Sequence, residues 1–392
     1  MPVESYEALF VPCPVGQRTA PNRLVAQPME CGNGTAGGGV SELTLKRYSN
    51  LADGHWGIVF VEAVSITDTS LAHRNGLVIN RKNLDGYKRL VEALKKNDPD
   101  SLFMVQLTHS GIRSGAFSRV TSACPVDRDD IHYLSSDEIE HIRQRFVEGT
   151  VMVAEAGADG VDLKLCHGYL TTELIRPANI RSDHWGGDLE NRITFFQQTI
   201  KEIQERLGHT GFLLGSRISM YEGIRGGCGT GGPDEIIEDL TEMKLIVERM
   251  DEMELDYINV SAGLPGITTE MFAPNKSSKS LFLNHFRYAK TVKEMNTSLK
   301  VIGSAYSVLK EQGPVYAADN IDKAFVDFAG FGRQSMADPL YPKKLQAGKK
   351  INFCTACMGC GRLYEKETTV GCVIYNEYYK NLSHKLKADH QK

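Results

Sequence analysis

The chain has 392 residues, of which 41% are hydrophobic, 8% aromatic and 24% charged; this ordinary globular composition excludes collagen-like, disordered and coiled-coil readings. Forty-five Lys and Arg against 49 Asp and Glu leave a formal net charge of −4, so no basic field exists to hold nucleic acid or an anionic membrane. Nine cysteines are an odd count, and the opening Met1 to Glu7 has no basic stretch leading into an apolar run, which predicts a cytoplasmic chain with reduced or metal-bound thiols rather than a disulfide framework.

The hydrophobic period then switches repeatedly between 2 and 3.6. Leu24 to Met29 reads as a strand and Leu43 to Ala52 as a helix. Gly57 to Ser65 is the next strand, too short for the ~20 residues of a membrane span, followed by a helix over Leu84 to Lys96. Leu102 to Leu107 is a strand, and after a polar connection Ser135 to Glu138 has the form of a capping box opening a helix. Gly160 to Cys166 and Leu189 to Leu207 make the fourth strand and helix. Phe212 to Ser219 with Pro233 to Met253, then Tyr257 to Val260 with Asn284 to Met295, are the fifth and sixth. Leu299 to Gly303 and Ala324 to Phe328 are the last strands, each with a helical segment behind it.

Eight strand-then-helix units predict an α/β (β/α)8 TIM barrel over residues 1–348, with residues 349–392 as a C-terminal extension packed on it. A doubly wound open sheet would need a Gly-x-Gly-x-x-Gly fingerprint after an early strand. None follows one, and Gly37, Gly38 and Gly39 read as a flexible turn. In a barrel, chemistry belongs at the C-terminal strand ends, and here they are polar: Gln106 and His109, then Lys164, His167 and Tyr169, then Arg217, Asn259 and Ser261, Gly303 and Ser304, Gly332 and Arg333. Glycines at the last two ends are where barrels commonly hold a ligand phosphate. The loop Arg225 to Gly232 reads as a movable edge or as a plain exposed loop. Cys13, Cys31, Cys124 and Cys228 have no partner spacing, and Cys166 reads first as a small packed barrel residue.

Cys354, Cys357, Cys360 and Cys372 supply three close thiolates and one remote one. Such a run can wrap three irons of a cubane, with the fourth reached when the chain returns. Zinc, which usually takes two separated Cys pairs, is the second choice, and idle buried thiols the third.

The stretch from His167-Gly168-Tyr169-Leu170 through Arg176-Pro177-Ala178-Asn179-Ile180-Arg181-Ser182-Asp183-His184-Trp185-Gly186-Gly187 to Glu190-Asn191-Arg192 resembles the signature of the old yellow enzyme family. Further pieces stand in family order: Asn22-Arg23 with Pro28-Met29, Gln106 to Gly111, Arg217 to Ser219, Gly332-Arg333 and Ala337-Asp338-Pro339. The resemblance spans roughly residues 6 to 376. With the cysteine run it points to the iron–sulfur branch that includes 2,4-dienoyl-CoA reductase and trimethylamine dehydrogenase. Those relatives carry a further flavin- and nucleotide-binding region; the sequence runs about twenty residues past Cys372, and the reading is of a barrel without that region.

The resemblance implies FMN in the barrel mouth. Pro28, Met29 and Ala63 would line it by backbone contact, Gln106 would meet its pyrimidine edge, and Arg217 would place positive charge where reduction adds electrons. Gly303, Ser304, Gly332 and Arg333 would hold its phosphate. Tyr169 matches the proton donor and His167 the group that binds a substrate carbonyl, both expected to point the same way along extended backbone. Lys164 stands where relatives have His or Asn, either completing that clamp or pairing with Glu30, which occupies the position after the first Pro-Met. Ile112 and Asp188 replace a family Arg and Ser.

These roles imply an FMN- and 4Fe–4S-dependent reductase of a C=C bond conjugated to a carbonyl, acting on an enoate, enoyl thioester, steroid enone or flavonoid-type substrate, the last with C–O ring opening as a variant. The electron donor is NAD(P)H or a ferredoxin-like protein, and self-association is expected. An amine dehydrogenase and an electron-relay barrel subunit are the alternatives.

Overall fold

The computed structural model describes residues 6–125, 129–208 and 210–389; the first five residues of the opening segment, read above for a leader pattern, lie outside it. Eight parallel strands close into a barrel: β1 Leu24–Ala26, β2 Ile58–Ser65, β3 Leu102–Thr108, β4 Gly160–Leu163, β5 Leu213–Ser219, β6 Tyr257–Ser261, β7 Lys300–Gly303 and β8 Phe328–Phe331, with β8 pairing back onto β1. The predicted barrel is thus the observed one.

Period-two alternation divides the strand residues between two surroundings. Val25, Phe60, Met104, Leu213, Tyr257, Ile302 and Phe328 point inward and pack with Cys13, Val15 and Ala20 of an N-terminal hairpin, Cys13–Val15 with Arg18–Ala20. The hairpin therefore closes the lower end of the barrel. Outward residues such as Val59, Val61, Phe103, Val105 and Val161 meet the helices. One step higher, the inward positions turn polar: Gln27, Gln106, Asp162, Arg217 and Asn259 are all buried. A dry base under a polar mouth directs the chemistry to one end.

The helices start where local chemistry says they should. Ser135 accepts from the Glu138 amide and Glu138 returns the bond to the Ser135 amide, the capping box expected for the helix Ser136–Glu155. The helix Leu189–Leu207 matches its predicted bounds and stops at Gly208, φ 62°. Strands β1 and β4 end at Ala26 and Leu163, short of the expected Met29 and Cys166, and two starts differ more. Residues 233–240 are not helical: Gly226 and Asp239 amides tie them to the preceding loop through Glu235 and Gly229 carbonyls, so the helix begins at Thr241. The last strand begins at Phe328 rather than Ala324, because Ala324 (φ 53°) and Phe325 still close the preceding helix onto Ile321 and Asn320. The loop Arg225–Gly232 is also corrected. Gly226 to Thr230 are buried, and Cys228 is pinned by its amide on Glu222, so neither a movable edge nor an exposed loop describes them.

The extension lies on the barrel mouth. Leu363, Val370 and Tyr379 pack with Cys31 and Met29, and the Val370 amide donates to the Cys31 carbonyl at 2.8 Å. Among the described residues no helix is long and apolar enough to cross a membrane.

Gly330 in β8 has no room for a methyl group: a Cβ there would stand 2.6 Å from the Gly303 carbonyl oxygen of β7 and overlap the Gln27 side chain. Gly330→Ala should cost about 1–3 kcal/mol by overpacking, read as a lowered urea midpoint with unchanged m; an unchanged midpoint would contradict this packing.

Candidate active site

Four residues beyond β1, the Glu30 carboxylate collects three donors, two from the stretch after β4 and one from the extension. Lys164 Nζ, just past β4, lies 3.1 Å from it. The Tyr169 hydroxyl donates to both its oxygens at 2.7 and 2.8 Å. The Tyr364 hydroxyl, from the extension, donates at 2.8 Å. Burial alone would raise the Glu30 pKa, but the Lys164 charge and the phenolic hydrogen bonds outweigh it and hold the carboxyl below its usual range. The reverse holds for Tyr169, whose phenol is pushed well up by burial and then by the neighbouring Glu30 charge. Tyr169 therefore stays protonated at neutral pH. Lys164 Nζ also stands 3.2 Å over the Tyr169 ring centroid, a cation on the face of that ring.

His167 and Tyr169 do not point the same way. His167 (φ 64°) and Gly168 (φ 72°) are left-handed, which breaks the alternation assumed for extended backbone. His167 Nε2 meets Ser261 Oγ on β6 at 2.8 Å and Nδ1 meets Cys166 Sγ at 3.3 Å, whereas Tyr169 turns toward Glu30 beyond β1. Burial and then the nearby Arg217 and Lys164 charges push His167 well below its ordinary pKa, so the ring is neutral. Cys166 is a fully buried thiol raised to about 12 by burial, the packed reading expected for it.

Beneath these groups the polar layer forms a linked set. Arg217 Nη1 donates to Gln27 Oε1 at 2.8 Å, the Asn259 amide donates to the same oxygen at 2.7 Å, and Gln27 returns a bond to Asn259 at 3.0 Å. Gln106 donates to Asp162 at 2.8 Å, and burial raises Asp162 to about 6 despite that bond. Arg217 Nε, Asp162 Oδ2 and Thr108 Oγ1 remain buried with no partner among the described residues. A small cavity lined in part by Glu30, Glu62, Ala63, Thr108 and Ser110 lies on the Thr108 side of this set. These orphaned donors and acceptors suit a flat polar ring laid over the strand ends.

Met29 lies against Gly332, where a Cβ would come 2.8 Å from Met29 Sδ. Gly303 and Gly332 end adjacent strands and carry no side chain, and Ser304 turns its hydroxyl to the Val260 carbonyl at 2.5 Å. Arg333 bridges two regions: it donates to the Pro274 carbonyl at 2.6 Å and contacts Met358 Sδ at 3.1 Å inside the cysteine loop. Pro28 stands between Gln27 and Met29 at the same rim.

Cys354, Cys357, Cys360 and Cys372 are unpaired thiols within electrostatic reach of one another. Burial raises the thiols of Cys354, Cys360 and Cys372, and the nearby backbone amides of Ala356, Gly361, Ile374 and Tyr375 act the other way. No three His, Cys, Asp or Glu among the described residues converge tightly enough to grip a single ion.

Residues 8–352 match the NADH:flavin oxidoreductase / NADH oxidase family, and the chain belongs to that family of flavin oxidoreductases. It is 28% identical over 374 residues to an NADH oxidase of Thermoanaerobacter brockii, covering 91% of this chain and 54% of that protein. It is equally similar, at 28%, to the N,N-dimethylglycine/sarcosine dehydrogenase of Chromohalobacter salexigens, over 91% of this chain and 51% of that one. The chain thus spans about half the length of these curated relatives. A 2-naphthoyl-CoA reductase solved with 2-naphthoyl-CoA shares the fold, with a TM-score of 0.83 at 21% identity over 97% of this chain and 58% of that one.

Sequence reasoning left out Gln27 and Tyr364. Gln27 is signalled only by a polar residue ending an apolar strand, and Tyr364 by nothing local.

Glu30→Gln should remove the charge that balances Lys164, a side chain only 5% exposed, and cost roughly 3 kcal/mol at neutral pH. Because the folded carboxyl titrates below its usual range, the Glu30 contribution is present above about pH 4.5 and fades as pH falls through the depressed value. Urea unfolding of both proteins should show their gap closing in acid; a gap independent of pH would contradict the pairing.

Proposed function

We propose that the protein reduces a C=C bond conjugated to a carbonyl, with FMN bound over the barrel mouth and Tyr169 as proton donor. The observation that carries this reading is Tyr169 itself: a buried phenol at a strand end, kept protonated, with its ring under the Lys164 ammonium. Bound FMN, once reduced, supplies the hydride. Tyr169 gives its proton to the other carbon of the former double bond. Lys164 offsets the charge then left on the phenolate, which Glu30 alone would oppose. His167, neutral and with one N–H to give, binds the carbonyl oxygen and steadies the developing enolate.

In this reading Pro28, Met29 and Ala63 line the flavin and Gln106 and Arg217 meet its polar edge. Gly303, Ser304, Gly332 and Arg333 take its phosphate. Arg217, held in place by Gln27 and Ser261, is the cation that favours the reduced, anionic form. NAD(P)H supplies the electrons by docking over the mouth; a ferredoxin-like partner is the other route.

Cys354, Cys357, Cys360 and Cys372 hold a [4Fe–4S] cluster in the same reading. Three closely spaced cysteines with a fourth reached later suit a cubane better than the two separated pairs zinc usually takes. Changing Cys357 and Cys360 to Ser should remove iron and acid-labile sulfide while FMN stays bound; full iron content in that variant would defeat the assignment.

Oxidation of an amine is the second reading, drawn from Glu30 beside two phenol rings. Lys164 speaks against it, because its ammonium already occupies the place a cationic substrate would take. One anaerobic experiment separates the two: reduce the holoenzyme with limiting dithionite, then add enones, enoates, enoyl thioesters and flavanones singly and follow flavin reoxidation. Rapid reoxidation by one of them, slowed about 10²- to 10⁴-fold in Tyr169→Phe with flavin reduction unchanged, is expected. Reduction of the oxidised enzyme by an amine, with no oxidant effective, would replace this reading.

A further inference from the structure

We infer that Glu62 is a proton reserve for this mouth, recharging Tyr169 after each turnover through water in a cavity that Glu62 and Glu30 both line; this rests on the reductase reading above. Glu62 lies in β2, whose pairing with β3 slips by one residue between Val61 and Val64. Such a bulge re-aims a side chain out of the strand alternation. The Glu62 amide goes to the Tyr48 hydroxyl at 2.6 Å, and its carboxylate Oε2 accepts the Cys31 amide at 2.5 Å. The residue is 1% exposed, and Oε1 is buried with no partner among the described residues.

The cavity joins the two carboxylates. It has room for about one water, and Thr108 Oγ1, also buried and unpartnered, lines it. The other polar groups on its wall are already engaged. Ser65 donates to the Thr67 and Ser70 carbonyls, and Ser110 to the Ser70 carbonyl. His73 Nε2 donates to the Thr368 carbonyl at 3.0 Å, and Nδ1 accepts the Asn75 amide at 3.3 Å. Both ring nitrogens are used and burial lowers its pKa, so His73 is neutral. Among these groups only Glu62 has both an open oxygen and a proton to store.

Two carboxylates on one small cavity stay charged together only if each has its own counter-charge. Here the donors are unequally divided. Glu30 has Lys164 and two phenols, whereas Glu62 has no ion pair among the described residues: Arg47 Nη2 turns to the Met29 carbonyl at 3.4 Å. The titratable groups that face Glu62 are Arg47 and Tyr48 from the helix Glu42–Ala52, Tyr87 from the helix Leu84–Asn97, Cys31 and Glu30 beyond β1, and His73 across the cavity. Burial keeps Cys31, Tyr48 and Tyr87 protonated. It also pushes Glu62 up to about 7, with the Glu30 charge adding and Arg47 opposing. The reserve is therefore filled below about pH 7 and empties above it.

The proton balance closes. When the Tyr169 O–H breaks and a C–H forms at the α-carbon, a phenolate is left in a residue 4% exposed. The Glu62 O–H then breaks, water takes that proton and gives one of its own to Glu30, and the Glu30–Tyr169 hydrogen bond carries it to the phenolic oxygen. Tyr169 is a phenol again, Glu62 a carboxylate, and solvent refills Glu62 between turnovers.

The test combines infrared titration of the oxidised holoenzyme with stopped flow of the reduced one. Infrared should show a buried carboxylic-acid band that is lost as pH rises through about 7. The band should be absent in Glu62→Gln, kept in Asp162→Asn (another buried carboxyl, raised to about 6), and moved in midpoint in Glu62→Asp. In stopped flow, reduced enzyme is mixed one pH unit below that midpoint with the compound that reoxidises it. Tyrosinate absorbance should then persist about tenfold longer or more in Glu62→Gln than in the unaltered protein. The inference is overturned if the band survives Glu62→Gln, if it leaves only with Asp162→Asn, or if tyrosinate decays alike in both proteins. A Glu62-dependent band in an enzyme that no enone, enoate, thioester or flavanone reoxidises would support the stored proton while counting against the reductase reading.

Discussion

The mouth of this barrel is organised around a carboxylate that cannot be left alone. Glu30 sits where burial penalises its charge, and it is kept ionised only because Lys164, Tyr169 and Tyr364 all direct positive charge or hydrogen-bond donors at it. Lys164 and Tyr169 come from the connection after β4 and Tyr364 from the extension, so satisfying Glu30 ties its own segment to two others. The position of Tyr169, the angle of its ring under Lys164 and the seating of the extension follow from the same electrostatic requirement.

A second constraint runs below it. The inward-facing residues change from apolar to polar within one or two positions along each strand, as at Val25 and Gln27, Met104 and Gln106, and Tyr257 and Asn259. Gln27, Asn259 and Arg217 saturate one another in part and leave a few buried atoms unmet. In a medium where a missing hydrogen bond costs on the order of 1–3 kcal/mol, such gaps persist when a ligand's own polar atoms are meant to fill them. The family to which the chain belongs is one of flavin oxidoreductases, and the reading proposed above lays the flavin ring over the unmet atoms.

Much of this was legible in the sequence. Eight period switches located the barrel, and Leu189 to Leu207 was readable to the residue because a polar start and Gly208 punctuate it. Errors fell where tertiary bonds overrule local pattern. Pro233 looked like a helix start, yet the segment behind it is held by the glycine loop. Ala324 looked like a strand start, yet it is the left-handed end of a helix. In the site, the Lys164–Glu30 pair was readable as one of two options. The divergence of His167 from Tyr169 was not, because two successive left-handed residues override the strand alternation, and one of them is not glycine. Tyr364 was invisible for a plainer reason: it meets Glu30 across 334 positions, and no local pattern encodes a contact of that span.

That span has a consequence for how the molecule comes together. Glu30 is laid down early in synthesis and Tyr364 late, so a nascent chain can complete most of its barrel while the rim is still unfinished. Contacts of such separation carry a large loop-closure entropy that must be met before they contribute. Ordering of the Glu30 rim and docking of the thiol-bearing extension are thereby coupled, because Tyr364 belongs to both. A molecule whose extension has not seated also lacks the Tyr364 donor, and the Glu30 rim is then one hydrogen bond short.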